Sequence, residues 1–358
     1  MKIFVFPLNN DGCSHYRINK PYKAMNDKDI IFFESKDMEA PETLKFLEEC
    51  DYVLCRQYHD KAIKVLDELF SGEDSKRKTK LKVILDMDDF VFDIDPYNES
   101  YGVFGIQEVK HGDKWLWKDG ANIDIKENKR YRESLKAMLK RADILTVSTE
   151  RLKEKYSEYN DNIIVVPNAI DPKDWVVPNF REHREIRIGW TGGSSHYRDW
   201  YAIKDDIERI IKEYPRVKLV IGGSMFEGIF KNIDKDRIES WHWVDPTGHG
   251  YRVAMMDLDL AIIPLEKTEF NSYKSCIKFY EFSALKIPTI CSNVAPYSDE
   301  APKESLTDNF YESIKSLIEN ADKEMGERNY EWVMANRNQE QISKELKDKL
   351  CQYLKEQR

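Results

Sequence analysis

Short apolar runs alternate along this chain with longer stretches whose apolar residues recur every three to four positions. Runs at 2–6, 30–33, 52–55, 81–85 and 144–148 read as strands, and a further short one precedes Pro167. Between them, residues 22–25, 41–49, 59–70 and 128–141 carry helical patterns. The second half repeats the rhythm, with strands at 186–190, 218–222, 239–244, 258–263 and 287–291. Its helices are expected at 200–214, at 251–256 and from Ile277 to Lys286, where Ile277, Tyr280 or Glu281, and Ala284 stack on one face. Strands alternating with helices predict an α/β fold of doubly wound parallel sheets, which place ligands at the carboxyl ends of their strands. Beyond Pro302 the chain reads as helical and charged to its end. The rhythm breaks at 96–122, where Gly102, Gly105, Gly112 and Gly120 lie among Tyr97, Tyr101, Phe104, Trp115 and Trp117. This segment is either an acceptor-binding lid or packing against the first domain.

Length and composition narrow the picture. A chain of 358 residues suits two domains, each with its own core. With 41% hydrophobic and 34% charged residues, and no apolar run near the roughly 18 residues of a membrane span, a soluble globular protein is expected. The first eight residues lack a secretory pattern, so the expected location is cytoplasmic. The cysteines at 13, 50, 55, 276, 291 and 351 show no zinc spacing and read as mostly buried thiols. A net charge of −9 gives no global attraction to nucleic acid or an anionic membrane. Basic runs at 76–82 and 126–141 read as solvated faces, while leaving room for a local basic surface.

Candidate chemistry concentrates after the 258–263 strand. Pro264 opens a polar loop in which Asn271, Ser272, Lys274 and Ser275 precede a helix start. Free backbone N–H groups and the positive end of the helix dipole can face an anion there, beside Lys274. Lys278 and Glu281, three apart on one face, suit a phosphate and ribose hydroxyls respectively; an ordinary surface ion pair is the other reading. A comparable turn, Thr191 to Asp199, follows the 186–190 strand. Its paired glycines and small hydroxyls let backbone amides approach a pyrophosphate, or form a tight turn with no ligand. In the first half, Gly12 sits in the loop after the first strand, and His15 near the start of the next helix. Asp86, Asp88 and Asp89 arrive at the end of the 81–85 strand. Such acids suit a divalent cation, a turn cap or a polar role in a cleft, and the last is preferred.

Residues 142–171, 186–198 and 257–297 together resemble the GT-B fold glycosyltransferases, closest to retaining family 4. The first segment carries a strand, Ser148-Thr149 as helix N-cap, a helix, a strand and the turn Pro167-Asn168-Ala169-Ile170-Asp171. The resemblance implies a Rossmann-like acceptor-binding domain over 1–171 and a Rossmann-like nucleotide-sugar domain over 186–335, facing across a cleft, with a linker near 171–185. A C-terminal helix, 336–358, is expected to cross back, and Tyr330-Glu331-Trp332 fits the returning segment. Carried onto this chain, the donor-binding residues are Gly192, Gly193, Ser194, His196, Trp243, Val244, Asn271, Lys274, Ser275, Lys278 and Glu281. The base would lie near Trp243 to Asp245. Gly12, His15, Asp88 and Asp89 fall on the acceptor side, and Asp88, Arg198 and Lys278 in catalytic positions. Two departures stand out. Tyr273 replaces the first Glu of the family's Glu-x7-Glu, leaving Asn271, Lys274 and backbone amides to hold the sugar, and Asp88 falls where the family has His.

The expected activity is therefore transfer of a sugar from a nucleotide-diphosphate sugar to an acceptor hydroxyl, hexosyltransferase-like, with retention implied by the family. Donors aimed at the leaving diphosphate, Gly193 N–H, Arg198, Lys274 and Lys278, would stabilise charge as it develops, without a metal or cofactor. The partner is the nucleotide sugar; glycan, lipid-linked, small-molecule and modified-DNA acceptors all remain open. Two other classes compete. One is a bacteriophage-type transferase acting on hydroxymethylated DNA bases, and the other a non-catalytic nucleotide-sugar binder, which the Tyr273 departure favours.

Overall fold

The computed structural model describes residues 1–6, 10–25, 28, 30–32, 46–47, 49–56, 81–176, 185–223, 227–320, 322 and 324–356. The helix expected at 59–70, most of that at 41–49, basic residues 76–80, linker residues 177–184 and Ser224 lie outside the described residues. The chain divides into two compact units, Met1–Pro167 with Glu340–Arg358, and Asn168–Gln339.

The first unit is built on β1 (Ile3–Val5), β2 (Ile30–Phe32), β3 (Tyr52–Arg56), β4 (Lys82–Met87), β7 (Ile144–Val147) and β8 (Ile163–Val165). These pair in parallel in the order β2-β1-β3-β4-β7-β8. Ile3, Phe4, Leu54, Ile84, Leu85 and Leu145 are fully buried, as expected for strands covered on both faces. The 96–122 segment holds a short helix, Tyr101–Phe104, and an antiparallel hairpin of β5 (Val109–His111) and β6 (Lys114–Trp117). Tyr101 and Phe104 are buried, which favours packing for that part of the segment, while Trp115 is exposed. The helix Ile125–Arg141 begins where Asp124 caps Glu127 N–H at 2.8 Å, and it buries Asn128, Leu135 and Leu139 beneath a basic outer face. Thr149 caps the helix Glu150–Tyr156 by accepting from Leu152 N–H, as the Ser-Thr pair predicts.

The second unit contains β9 (Ile186–Gly192), β10 (Val217–Gly223), β11 (Ile238–His242), β12 (Leu260–Ile263), β13 (Thr289–Ser292) and β14 (Leu306–Thr307). All pairings are parallel, in the order β11-β10-β9-β12-β13-β14. The chain therefore starts in mid-sheet, runs outward through β10 and β11, and reverses at β12. That reversal opens a crevice between the carboxyl ends of β9 and β12. In the first sheet the corresponding switch lies between β1 and β3.

Three expectations change. The single helix read over 200–214 is two, Tyr197–Ala202 and Lys204–Glu213, broken at Ile203, whose φ −107°, ψ 9° is not helical. The strand read over 81–85 continues to Met87, with Asp86 buried between β3 and β7 and paired with Arg17. Tyr330, Glu331 and Trp332 lie on Met325–Asn336, within the second unit; the segment assigned to the first unit is the following helix, Gln339–Glu356. That helix buries Leu346 and Leu350, and Leu350 O accepts from the Tyr52 hydroxyl at 3.1 Å.

Candidate functional site

Most of the residues picked out on the second half of the chain lie on the segments that follow β9 and β12, at the switch point, while Trp243 and Val244 follow β11. Gly193 follows the last residue of β9 and precedes the turn Ser194–His196 and the helix Tyr197–Ala202. The backbone is tightly packed here. Gly223, at φ +89°, ends β10 so close to β9 that an added Cβ would lie 2.4 Å from Gly192 O. A Cβ on Gly192 would run into the Trp190 ring, whereas one on Gly193 would meet nothing within 4 Å. Gly193 is thus exposed, with open space where a side chain would stand.

On the opposite side of the switch, β12 runs into Pro264, Leu265 and Glu266 and then a short helix, Glu269–Ser272, capped by Thr268. Asp199, buried at 4% exposure, fastens the two sides together. One carboxylate oxygen accepts from Glu266 N–H at 2.7 Å, and the other lies 2.7 Å from His196 Nδ1. Burial pushes the His196 imidazole below its ordinary value; Asp199 opposes that shift, and Lys274 and Lys278 add to it. Those two lysines therefore share one electrostatic environment with the glycine turn. Arg198 is ion-paired with Glu266 at 2.5 Å. Asn271 donates its side-chain N–H to Glu266 O at 2.9 Å, so this amide group braces the loop. Ser275 accepts from Asn168 at 2.7 Å, which ties the Pro167-Asn168 turn to the same loop.

The helix Ile277–Ala284 starts at Cys276 with no side-chain cap. Its first N–H groups thus lack a side-chain partner from the capping position, the arrangement that favours an anion. Lys278 lies one turn in, and its Nζ is 3.4 Å from Glu281 Oε2. Glu281 is only 2% exposed, which rules out the ordinary surface pair as its description. His249 Nε2 lies 3.4 Å from the other oxygen, Oε1. Tyr273, in the place of the family's first Glu, is buried and donates its hydroxyl to Glu269. Trp243 is 63% exposed just beyond β11, and Val244 follows it half-buried.

The first unit gathers its own candidates at the carboxyl ends of β1, β3 and β4. Gly12 opens a short helix capped by Asp11, and His15 is buried. Arg56, at the end of β3, donates to Asp11 at 2.8 Å and to Ser14 Oγ at 2.5 Å. Asp86 is buried in a two-point pair with Arg17, at 2.7 and 3.2 Å, and also accepts from Thr146 at 2.7 Å. Burial works against the Arg17 charge, but Asp86 and Asp88 outweigh it and hold the guanidinium protonated. Asp88 is 3.9 Å from Arg17 Nε and keeps 17% of its side chain exposed, whereas Asp89 O accepts from the Tyr156 hydroxyl at 2.7 Å. Among the described residues, no group of three or more His, Cys, Asp or Glu side chains is arranged to hold a metal ion.

Sequence reasoning missed Asp199, Glu266, His249, Arg17 and Arg56. A partial signal existed for Asp199 alone, three residues after His196 on an expected helix.

Two parallel α/β units of this topology define the GT-B fold. No protein-family model and no curated protein matches the sequence. Solved structures similar to the chain include Anabaena HepE in complex with UDP-glucose, with a TM-score of 0.63 at 10% identity, covering 98% of this chain and 100% of HepE. A glycosyltransferase from Rickettsia africae ESF-5 gives 0.60 at 11% identity, over 99% of this chain and 98% of its own. TarM gives 0.53 at 14% identity over 83% of this chain, which spans about half of TarM, 54%.

Proposed function

We propose that the protein is a glycosyltransferase that takes a sugar from a nucleotide-diphosphate sugar, with a uridine diphosphate donor as the first to test. The observation that carries this reading is the β9/β12 switch point, where an open glycine turn, Lys274, Lys278 and an uncapped helix start lie beside the buried carboxylate of Glu281. The GT-B neighbours support it, HepE having been solved with UDP-glucose.

In this reading Gly193 N–H, Lys274 and Lys278 hold the diphosphate, and Arg198 adds positive potential from its pair with Glu266. Glu281 accepts hydrogen bonds from the ribose, and the base lies near Trp243 and Val244. Gly192, Ser194, His196, Asn271 and Ser275 shape this pocket, the last three through the contacts described above. Bond cleavage places negative charge on the departing diphosphate, and fixed cations and amides stabilise that charge more in the transition state than in the ground state. They supply the neutralisation that a metal ion provides in other enzymes, so the reading is metal-independent. Retention remains part of the family likeness. Gly12, His15, Asp88 and Asp89 are proposed for the acceptor side, with Asp88, beside Arg17, as the catalytic carboxylate. The six cysteines are free, which suits a reducing, cytoplasmic compartment.

The test is a panel of UDP sugars with mass spectrometry of the products, run on the parent and on Glu281→Gln and Glu281→Ala. Transfer or donor hydrolysis is expected from the parent. Donor KM should rise more for Ala, which leaves ribose hydroxyls unpaired, than for Gln, which still offers an acceptor. Binding without turnover would instead support the non-catalytic reading, and conversion of the donor sugar with no cleavage would replace transfer by another reaction.

A further inference from the structure

The partner of Glu281 that the sequence did not reveal is His249, and its placement is built rather than incidental. It begins the helix His249–Met255, directly after the turn Pro246–Gly248. The next residue must be glycine. An added Cβ at Gly250 would lie 2.2 Å from Asp174 O, so the helix start is pressed against the turn Pro172–Asp174. Trp175, buried at 5% exposure, then meets the imidazole edge-on, with ring centroids 5.8 Å apart at 86°. Close backbone contact on one side and an indole on the other fix the ring with its Nε2 toward Glu281.

The separation of that pair is informative. At 3.4 Å, His249 Nε2 and Glu281 Oε1 lie farther apart than the roughly 2.7–2.9 Å of a closed charge-assisted hydrogen bond. The two polar atoms are thus near neighbours without closing into a short direct hydrogen bond. A carboxylate can only accept, so Glu281 alone reads the donor half of a hydroxyl group. An imidazole N–H supplies the missing donor, and a hydroxyl placed between the two is read in both of its roles.

We infer that His249 is a specificity-determining residue of the nucleotide site, donating from Nε2 to the ribose hydroxyl that Glu281 accepts from. This rests on the proposed nucleotide reading of the switch point. Its consequence is discrimination against a deoxyribose at that one hydroxyl, since removing the hydroxyl takes one hydrogen bond away from each group.

The experiment measures calorimetric binding of UDP, 2′-deoxy-UDP and 3′-deoxy-UDP to the full chain and to His249→Phe, His249→Gln and Glu281→Gln. Circular dichroism and thermal melts check that each variant is folded. His249→Phe keeps a ring against Trp175 but cannot donate. It should weaken UDP binding about five- to tenfold while leaving binding of one deoxy-UDP nearly unchanged, so that the parent's preference shrinks by that factor. His249→Gln restores a donor and should recover much of that preference. If His249→Phe weakens UDP and both deoxy analogues alike, or weakens none, His249 is a structural residue and the inference is overturned, even where Glu281→Gln abolishes the preference. If the parent binds UDP and both deoxy analogues equally, the nucleotide reading stands and the inference is overturned; if it binds none of the three, the nucleotide reading itself falls and the inference with it.

Discussion

Among single residues, those legible in the sequence were the ones whose partners lie within one helical turn. Lys278 and Glu281 are three positions apart, and their spacing alone brought them together. Asp199 and Glu266 meet 67 positions apart, and Arg17 and Asp86 69 apart, so no local pattern could have paired them. Burial was equally hidden, and it changes the meaning of Glu281 from a solvated helix charge to a group held among partners. Lys278→Ala should therefore cost more than a surface substitution. A charge-assisted bond of about 1.5–3 kcal/mol to the diphosphate would be lost, roughly 10- to 150-fold in UDP affinity, which calorimetry reads directly. Unchanged affinity would remove Lys278 from the site. His196 supplies a pH-dependent counterpart. Burial, reinforced by Lys274 and Lys278, holds its folded value below 6.5. The unfolded chain then binds more protons as pH falls through that range, so acid destabilises the fold. Above the unfolded value the effect vanishes. His196→Gln should accordingly lose less melting temperature than the parent between about pH 7 and pH 5.5. An equal or larger loss would show that other groups govern the acid limb.

Elements were read more reliably than residues, because buried parallel strands announce themselves as apolar runs and their helices as periodic ones. The Thr149 cap was visible in the sequence for the same local reason. Boundaries slipped where a distant side chain decides them. β4 runs on through Asp86, whose charge is paired with the distant Arg17, and the hairpin of β5 and β6 was masked by glycines, of which Gly112 takes φ +58° in the turn. The ends of β9 and β10 give the element-scale prediction. Gly223 is needed twice over, for its positive φ and for the 2.4 Å approach to Gly192 O. Gly223→Ala should destabilise the second unit by about 1–3 kcal/mol, through overpacking and backbone strain, and displace the Gly192-Gly193 turn. Denaturant melts and UDP titration should both register the change. A variant with parent-like stability and parent-like UDP binding would mean that the turn does not depend on this contact.

At the scale of the whole molecule, the fold follows from the order of strands, and the proposed nucleotide site lies where that order reverses. Every residue assigned to the donor lies between Asn168 and Gln339, within one unit that has its own sheet and core. In this reading donor binding is a property of that unit, and a ligand that binds the folded state stabilises what it binds. At a concentration 100 times its Kd, UDP should add about 2.7 kcal/mol to the stability of the unit that holds it. Hydrogen exchange can locate this effect along the chain. Protection is expected in three stretches: the turn Ser194–His196 after β9, the helix Ile277–Ala284, and the start of the helix His249–Met255. Saturating EDTA should leave that protection intact, because Lys274, Lys278 and backbone amides supply the positive charge in this reading. If protection instead concentrates at the ends of β1, β3 and β4, around Gly12, Arg56 and Asp88, the nucleotide belongs to the first unit and the donor and acceptor assignments must be exchanged. If it vanishes with EDTA and returns with magnesium, a metal ion carries the diphosphate and the lysines do not.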